Sequence, residues 1–361
     1  MFYLKKVIAI IENSLYRKAI EKLGQSLKQQ GMEVLCFFVE DMGLSAVTAE
    51  RVLDSAWQAV KISEAMDVEE MYIEEIDEYD IEGVEKESSG YDVEEDKNYE
   101  VAEIDKGKET LCKSNGKCKA FKKKVSCLWM TDMSEMVSVL RHLNYPVLAL
   151  LHEENRSQDF SAASYACEDP ENLDARYMDR VYRRYKRLPW DIMETERCLI
   201  RETTVEDVDA FYEIYSEPSI TLYTEGLFAE PEQEEKYIND YIDCVYSFYN
   251  LGVWTILKKD TNEIIGRAGL SYRDGYEEPE LGFVIGCPWQ RKGYAEEVCR
   301  AILEYGREEF EFTEVQAFVR TENKASLALC RKLDMQPARE VEISGEKHLC
   351  MKIDFYASCV Y

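Results

Sequence analysis

Residues 280–310 read ELGFVIGCPWQRKGYAEEVCRAILEYGREEF, and the pattern changes twice within them. Leu281, Phe283, Val284 and Ile285 make a short apolar run bounded by glycines, which predicts a buried strand. The apolar pattern stops between residues 286 and 293. From Tyr294 a new period begins, with Tyr294, Ala295, Val298, Ala301, Ile302 and Tyr305 on one helical face and Glu296, Glu297, Arg300, Glu304 and Arg307 on the other. The expected unit is therefore strand, loop, amphipathic helix. The loop Gln290-Arg291-Lys292-Gly293-Tyr294-Ala295 enters that helix with its backbone N–H groups unpaired, and a helix N-terminus of this kind attracts an anion by hydrogen bonding and by its dipole. Gly293 lets the backbone approach such a ligand closely, while Arg291 and Lys292 add positive charge.

At these residues the chain resembles a known family. QRKGYA is similar to the pyrophosphate-binding loop, Q/R-x-x-G-x-G/A, of the GNAT superfamily of acetyl-CoA-dependent N-acetyltransferases. Upstream, residues 195–201 (TERCLIR), followed by Asp207 and Asp209, resemble the TERLxLR entry of the ribosomal-protein-N-acetyltransferase-like branch. Downstream, Asn323-Lys324-Ala325-Ser326 and residues 329–335 (LCRKLDM) resemble that superfamily's N-x-A-S…K-L-G-F ending. The resemblance spans about residues 196–355, slightly under half of the chain.

It implies an α/β fold with a mixed sheet, flanking helices and two splayed strands, here 281–285 and 315–319, with acetyl-CoA between them as co-substrate. Backbone N–H groups near Val284 and Ile285 are then expected to meet the pantetheine and the thioester oxygen. The loop Gln290, Arg291, Lys292, Gly293, Tyr294 and Ala295 is expected to hold the pyrophosphate. Asn323 is favoured as an N-cap whatever the ligand, and the resemblance also places it within reach of the cofactor arm. Glu280 stands where related enzymes often carry a general base, although Glu277, Glu278 and Pro279 before it equally suit an exposed strand end. The family's usual acid, a Tyr in the last helix, is replaced by Cys330; a core thiol is the expected reading, with Tyr223 or Tyr272 as alternative acids. Asp334 stands where the family usually has Gly. Residues 218–228 and neighbouring loops are expected to build the acceptor pocket.

With 361 residues, 46% of them hydrophobic, the chain can bury a substantial core, and its length favours two domains. The net charge of −28 argues against nucleic acid and anionic membranes as partners. No apolar run approaches a spanning length, so a cytoplasmic protein is expected. The 12 cysteines follow no disulfide framework, and reduced thiols are the expectation. Cys112, Cys118 and Cys127 are separated by five and eight residues without a neighbouring histidine, which suits unligated thiols better than zinc; His152 likewise lacks a second histidine, and no metal site is expected.

The N-terminal half opens with an expected strand at 4–11, a helix at 14–30 and a strand at 34–39, a βαβ beginning. Charge then takes over: residues 64–105 hold 19 Asp or Glu against 2 Lys, and residues 106–124 hold 8 Lys against 1 Glu. Such a block reads as a disordered or solvated segment, or else as an acidic arm for a basic partner. After it come a strand at 126–130, a helix to about 143 opened by an Asp132…Glu135 capping box, and strands at 146–151 and 165–167. A helix at 174–187 follows, ended by the Pro189 joint. The order faintly resembles the haloacid-dehalogenase-like core, yet the first strand ends Ile10-Ile11-Glu12-Asn13, without that family's nucleophilic aspartate.

The expected organisation is thus a Rossmann-like, non-catalytic α/β domain at 1–190 with a charged insert at about 62–124, and a GNAT domain at 191–361. The expected function is transfer of acetyl from acetyl-CoA to a primary amine, on a protein N-terminus or a small molecule, by direct attack. The alternative is a non-catalytic acyl-CoA sensor or a scaffold whose acidic arm recruits a basic partner.

Overall fold

Val7, Ile8, Ala9, Ile10 and Ile11 are buried without a break, as a parallel strand covered on both faces requires. The computed structural model describes residues 3–39, 73–76, 101–103, 110–114, 117–121 and 126–356. They fall into two units, Met1–Leu188 and Pro189–Tyr361, each with its own sheet and core.

In the first unit, β1 (Lys6–Ile11), α1 (Arg17–Gln29) and β2 (Glu33–Phe38) precede the charged region. Within that region the described segments are four short strands, β3 (Ile73–Ile76), β4 (Val101–Glu103), β5 (Thr110–Ser114) and β6 (Lys117–Phe121). Then follow β7 (Cys127–Thr131), α2 (Ser134–His142), β8 (Val147–Leu150), β9 (Tyr165–Cys167) and α3 (Ala175–Tyr185). The main sheet has the all-parallel order β2-β1-β7-β8-β9. Alternation along β1 divides the core: Val7, Ala9 and Ile11 pack with α1 and α3, whereas Ile8 and Ile10 pack with α2.

Two expectations change here. The Asp132…Glu135 pattern does not make a capping box, because α2 has Met133 at its N-cap and no side-chain cap. Buried Asp132 instead accepts the N–H groups of Glu12 at 2.7 Å and Asn13 at 2.8 Å. Those donors leave the end of β1, and a carboxylate satisfies them with strong, charge-assisted bonds. The charged region was expected to lack structure, yet β3 to β6 pair as an antiparallel sheet in the order β3-β6-β5-β4. The β3–β6 register sets Glu75 opposite Lys119. The rest of residues 64–105 lies outside the described residues.

The second unit begins with β10 (Asp191–Glu194), β11 (Cys198–Arg201), α4 (Val208–Tyr215) and α5 (Pro231–Tyr241). A π-helical turn, Ile242–Tyr246, prolongs α5. Next come β12 (Gly252–Lys258), β13 (Ile264–Ser271), β14 (Glu280–Ile285), α6 (Tyr294–Glu309), β15 (Glu314–Arg320) and α7 (Lys324–Lys332). The chain then closes with a hairpin, β16 (Gln336–Ile343) and β17 (Glu346–Asp354). Its turn places Ser344 and Gly345 at φ 50° and 79°, the left-handed pair that a two-residue hairpin needs. The sheet order is β10-β11-β12-β13-β14-β15-β17-β16. Ala268 packs with Val298 and Ile302 of α6 in the main core, while its neighbour Arg267 lies over Phe211 of α4. One helix layer therefore covers each face.

The entry to this unit is tied by Asp207. Its carboxylate receives a fork from Arg201 at 2.8 and 2.6 Å, the Thr255 hydroxyl at 2.8 Å and the Thr204 N–H at 3.0 Å, and it is buried. Removing one partner of a buried, fully bonded pair strands the other, which costs about 3–5 kcal/mol. Asp207→Ala is therefore expected to lower the unfolding free energy of the C-terminal unit, measured by denaturant titration, by an amount in that range; a loss below about 1 kcal/mol, the scale of an exposed pair, overturns this view of the network.

Candidate active site

The strands β14 and β15 are the parallel neighbours of the second sheet, and their ladder joins them at Glu280↔Gln316 alone. Beyond that point they diverge. The narrow end is pinned by Gln316, which is wholly buried; its N–H reaches Pro279 O at 2.9 Å and its side-chain amide reaches Glu278 O at 2.8 Å. Val284 and Ile285 stand at the wide end of β14.

The loop after β14 starts with the 3-10 turn Cys287–Trp289. Gln290 folds back, donating from Nε2 to Ile285 O at 2.8 Å, so its side chain braces the loop. Arg291 and Gly293 are both left-handed, with φ 59° and 88°. Alternating handedness of this kind gathers successive N–H groups into an anion-binding nest. Among the described residues the N–H groups from Arg291 to Ala295 have no backbone acceptor, and they open onto the N-terminus of α6. The side chains divide differently from the simplest expectation: Arg291 and Lys292 are exposed, but Tyr294 is buried in the core, so only its backbone faces the loop.

At the narrow end, Glu280 meets Arg273, with Nε to Oε2 at 2.5 Å and Nη2 to Oε1 at 3.2 Å. This fork holds the Arg273 guanidinium above its ordinary pKa, against the opposing effect of burial. The pair lines a pocket of about 560 Å³ with Ser271, Tyr272, Tyr276 and Glu342. Tyr276 lies against Phe318 of β15, ring centroids 4.5 Å apart, which sets one wall on the splayed strand. The sequence singled out Glu280 and Tyr272 but not Arg273, Tyr276 or Glu342. The hairpin register carries the missing signal, since Ser271 pairs with Glu280 and brings the residues just after β13 back over it.

Residues 218–228 reach the same region in part: Ser219 Oγ lies 3.3 Å from Cys287 Sγ, and Arg320 donates to Leu222 O at 3.1 Å. Tyr223 is not among the lining residues of the pocket. Asn323 caps α7, its Oδ1 accepting the Ser326 N–H at 3.1 Å. Cys330 is wholly buried beside Leu327, Leu333 and Met335, and burial pushes its thiol up to about 11. Asp334 adopts φ 65°, so the turn where the family favours Gly keeps its left-handed form.

A family model described as an acetyltransferase (GNAT) domain matches residues 197–336. The uncharacterized N-acetyltransferase YnaD of Bacillus subtilis is 32% identical over 143 residues, which are 39% of this chain and 81% of that protein. The chain belongs to the GNAT acetyltransferase family. It is an acetyltransferase whose co-substrate is acetyl-CoA. The uncharacterized N-acetyltransferase YoaA of Bacillus subtilis is 30% identical over 152 residues, covering 40% of this chain and 82% of the other. A solved GNAT-family acetyltransferase from Bacillus anthracis aligns with 45% of this chain and 97% of its own at 23% identity, with a TM-score of 0.39.

Within this GNAT chain, Cys330 has the surroundings of a packing residue. Cys330→Ala is expected to lose about 1–2 kcal/mol of stability, the range for deleting a small buried group, and to keep near wild-type turnover. Unfolding and thiol-release assays on the same preparation check it; a stable but inactive Cys330→Ala protein assigns the thiol to the proton path instead.

Proposed function

We propose that the C-terminal unit transfers acetyl from acetyl-CoA to a primary amine, on a small molecule or a protein N-terminus, by direct attack of the amine on the thioester. The observation that carries this reading is the wedge itself: strands that part after a single pairing, with an N–H nest at the open end and a carboxylate at the closed end. The residues fit the co-substrate. The N–H groups from Arg291 to Ala295 would hold the pyrophosphate, with Gln290 fixing the loop and the exposed Arg291 and Lys292 adding charge. The N–H groups of Val284 and Ile285 would meet the pantetheine arm and the thioester oxygen, where a fixed donor stabilises a developing oxyanion. Asn323, with its Oδ1 used by the helix cap, would offer its amide nitrogen to the same arm.

Acetyl-CoA, when bound, supplies the activated acetyl group. The chain's own work is to accept a proton from the incoming ammonium and to orient the amine. Glu280 takes the proton, directly or through water, from a half-buried position in the pocket, and Arg273 holds its carboxylate in place. The thiolate then leaves without an acid from Cys330; Tyr272, on the pocket wall, is the hydroxyl placed to assist. That the relatives YnaD and YoaA carry the name N-acetyltransferase supports an amine acceptor. For the N-terminal unit we infer a non-catalytic, Rossmann-like module for presentation or assembly, since β1 is followed by Glu12-Asn13 with no aspartate, and Asp132 accepts the N–H groups of both and lies 3.5 Å from His152 Nε2.

A screen of amines and peptides by free-thiol release tests the reaction and finds the acceptor. On that acceptor, Glu280→Gln is expected to lower turnover by at least about a hundredfold with little change in acetyl-CoA affinity; a fast variant removes Glu280 as base. Calorimetric titration gives a second check: Gly293→Val, β-branched at φ 88°, should weaken acetyl-CoA binding far more than Arg291→Ala. Equal affinities for wild type and Gly293→Val would sink the nest.

A further inference from the structure

Arg197, from the TERCLIR segment, is distant in sequence from the loop yet makes four contacts around it. Its N–H donates to Glu297 Oε1 at 2.8 Å, its Nε to Glu297 Oε2 at 2.7 Å and its Nη1 to Lys292 O at 3.0 Å. Its guanidinium also lies 4.2 Å over the Tyr294 ring. The β11 end that carries it is itself anchored, since Lys259 N–H donates to Arg197 O at 2.9 Å.

The bond to Lys292 O matters because of peptide geometry. In a planar trans peptide the carbonyl oxygen and the following N–H point in opposite directions. Holding Lys292 O toward Arg197 therefore turns the Gly293 N–H the other way, into the nest. The held peptide sits between left-handed Arg291 and Gly293, and a non-glycine residue in that region carries a conformational cost that a fixed neighbour must offset. Glu297 needs the same partner. Burial works against its charged form, yet the bonds from Thr195 and Arg197 hold its carboxyl below its ordinary value. Left unpaired in the first turns of α6, that carboxylate would compete with a phosphate for the same N–H groups.

We propose that Arg197 is a positioning residue for acetyl-CoA: it touches no reacting atom, but it fixes the Lys292–Gly293 peptide and neutralises Glu297 so that loop 290–295 presents its N–H groups to the pyrophosphate. This rests on the reading of that loop as the pyrophosphate site.

The test is CoA titration combined with amide hydrogen exchange on the full chain. Arg197→Ala is expected to weaken CoA binding about tenfold, the equivalent of one net hydrogen bond, and to speed exchange of the amides at 291–295 while those of β14 stay protected. Arg197→Lys, which can pair with Glu297 but cannot also reach Lys292 O, should lose nearly as much. Wild-type affinity in either variant overturns the proposal. So does an equal rise in exchange along β14, which marks a residue that merely holds the fold together. A wild-type protein whose 291–295 amides gain no protection from CoA overturns the loop reading instead, and this inference with it.

Discussion

The pairing of Glu280 with Gln316 is the constraint on which the C-terminal unit turns. Parallel neighbours normally continue their ladder for the length of both strands, because every unpaired N–H or C=O in a core is costly. Here the partners part at once. Three bonds concentrated on Gln316, the two to residues 278 and 279 and the weak contact of Cys350 Sγ with its Oε1, hold the vertex. Each strand remains satisfied on its outer edge, by β13 and β17 respectively. Among the described residues, the ladder between their inner edges stops at that one pair.

Charge is handled locally even though the chain as a whole is strongly acidic. Around the wedge almost every cation described has an assigned carboxylate: Arg273 with Glu280, Arg197 with Glu297, Lys352 with Glu278 and Glu314. Most of these are partly exposed and contribute little to stability, on the order of 0–1 kcal/mol each. Their effect is orientation. Arg291 and Lys292 differ in having no such carboxylate partner described, which leaves their charge available at the mouth of the nest.

The legible parts of the sequence were those whose signal is local. The strand–loop–helix at 280–310 could be read from a change of period and one glycine. Signals that depend on distant partners were not legible. Asp132 has the spacing of a cap for its own helix, yet the unsatisfied donors at Glu12 and Asn13 claim it across the sheet. Nothing near Arg273 announces that it will meet Glu280; that follows from the register of β13 on β14. The final hairpin turns on Ser344-Gly345, a brief turn signal between strands whose outward residues are mostly charged. Asp334 is a different case. The residue breaks the family pattern while the backbone does not, because Asp tolerates the left-handed region better than most residues.

The buried amide of Gln316 also bears on how association divides its entropy. A cleft that had to be pried open, or a loop that ordered only on contact, would charge part of the binding free energy to the protein. Here the vertex is fixed by interior hydrogen bonds and the loop by Gln290, so the chain's own bonds hold the wedge in shape. The freedom lost on docking then belongs chiefly to the guest, a long and many-jointed thioester, and tight binding of so flexible a molecule becomes a matter of preorganisation in the host.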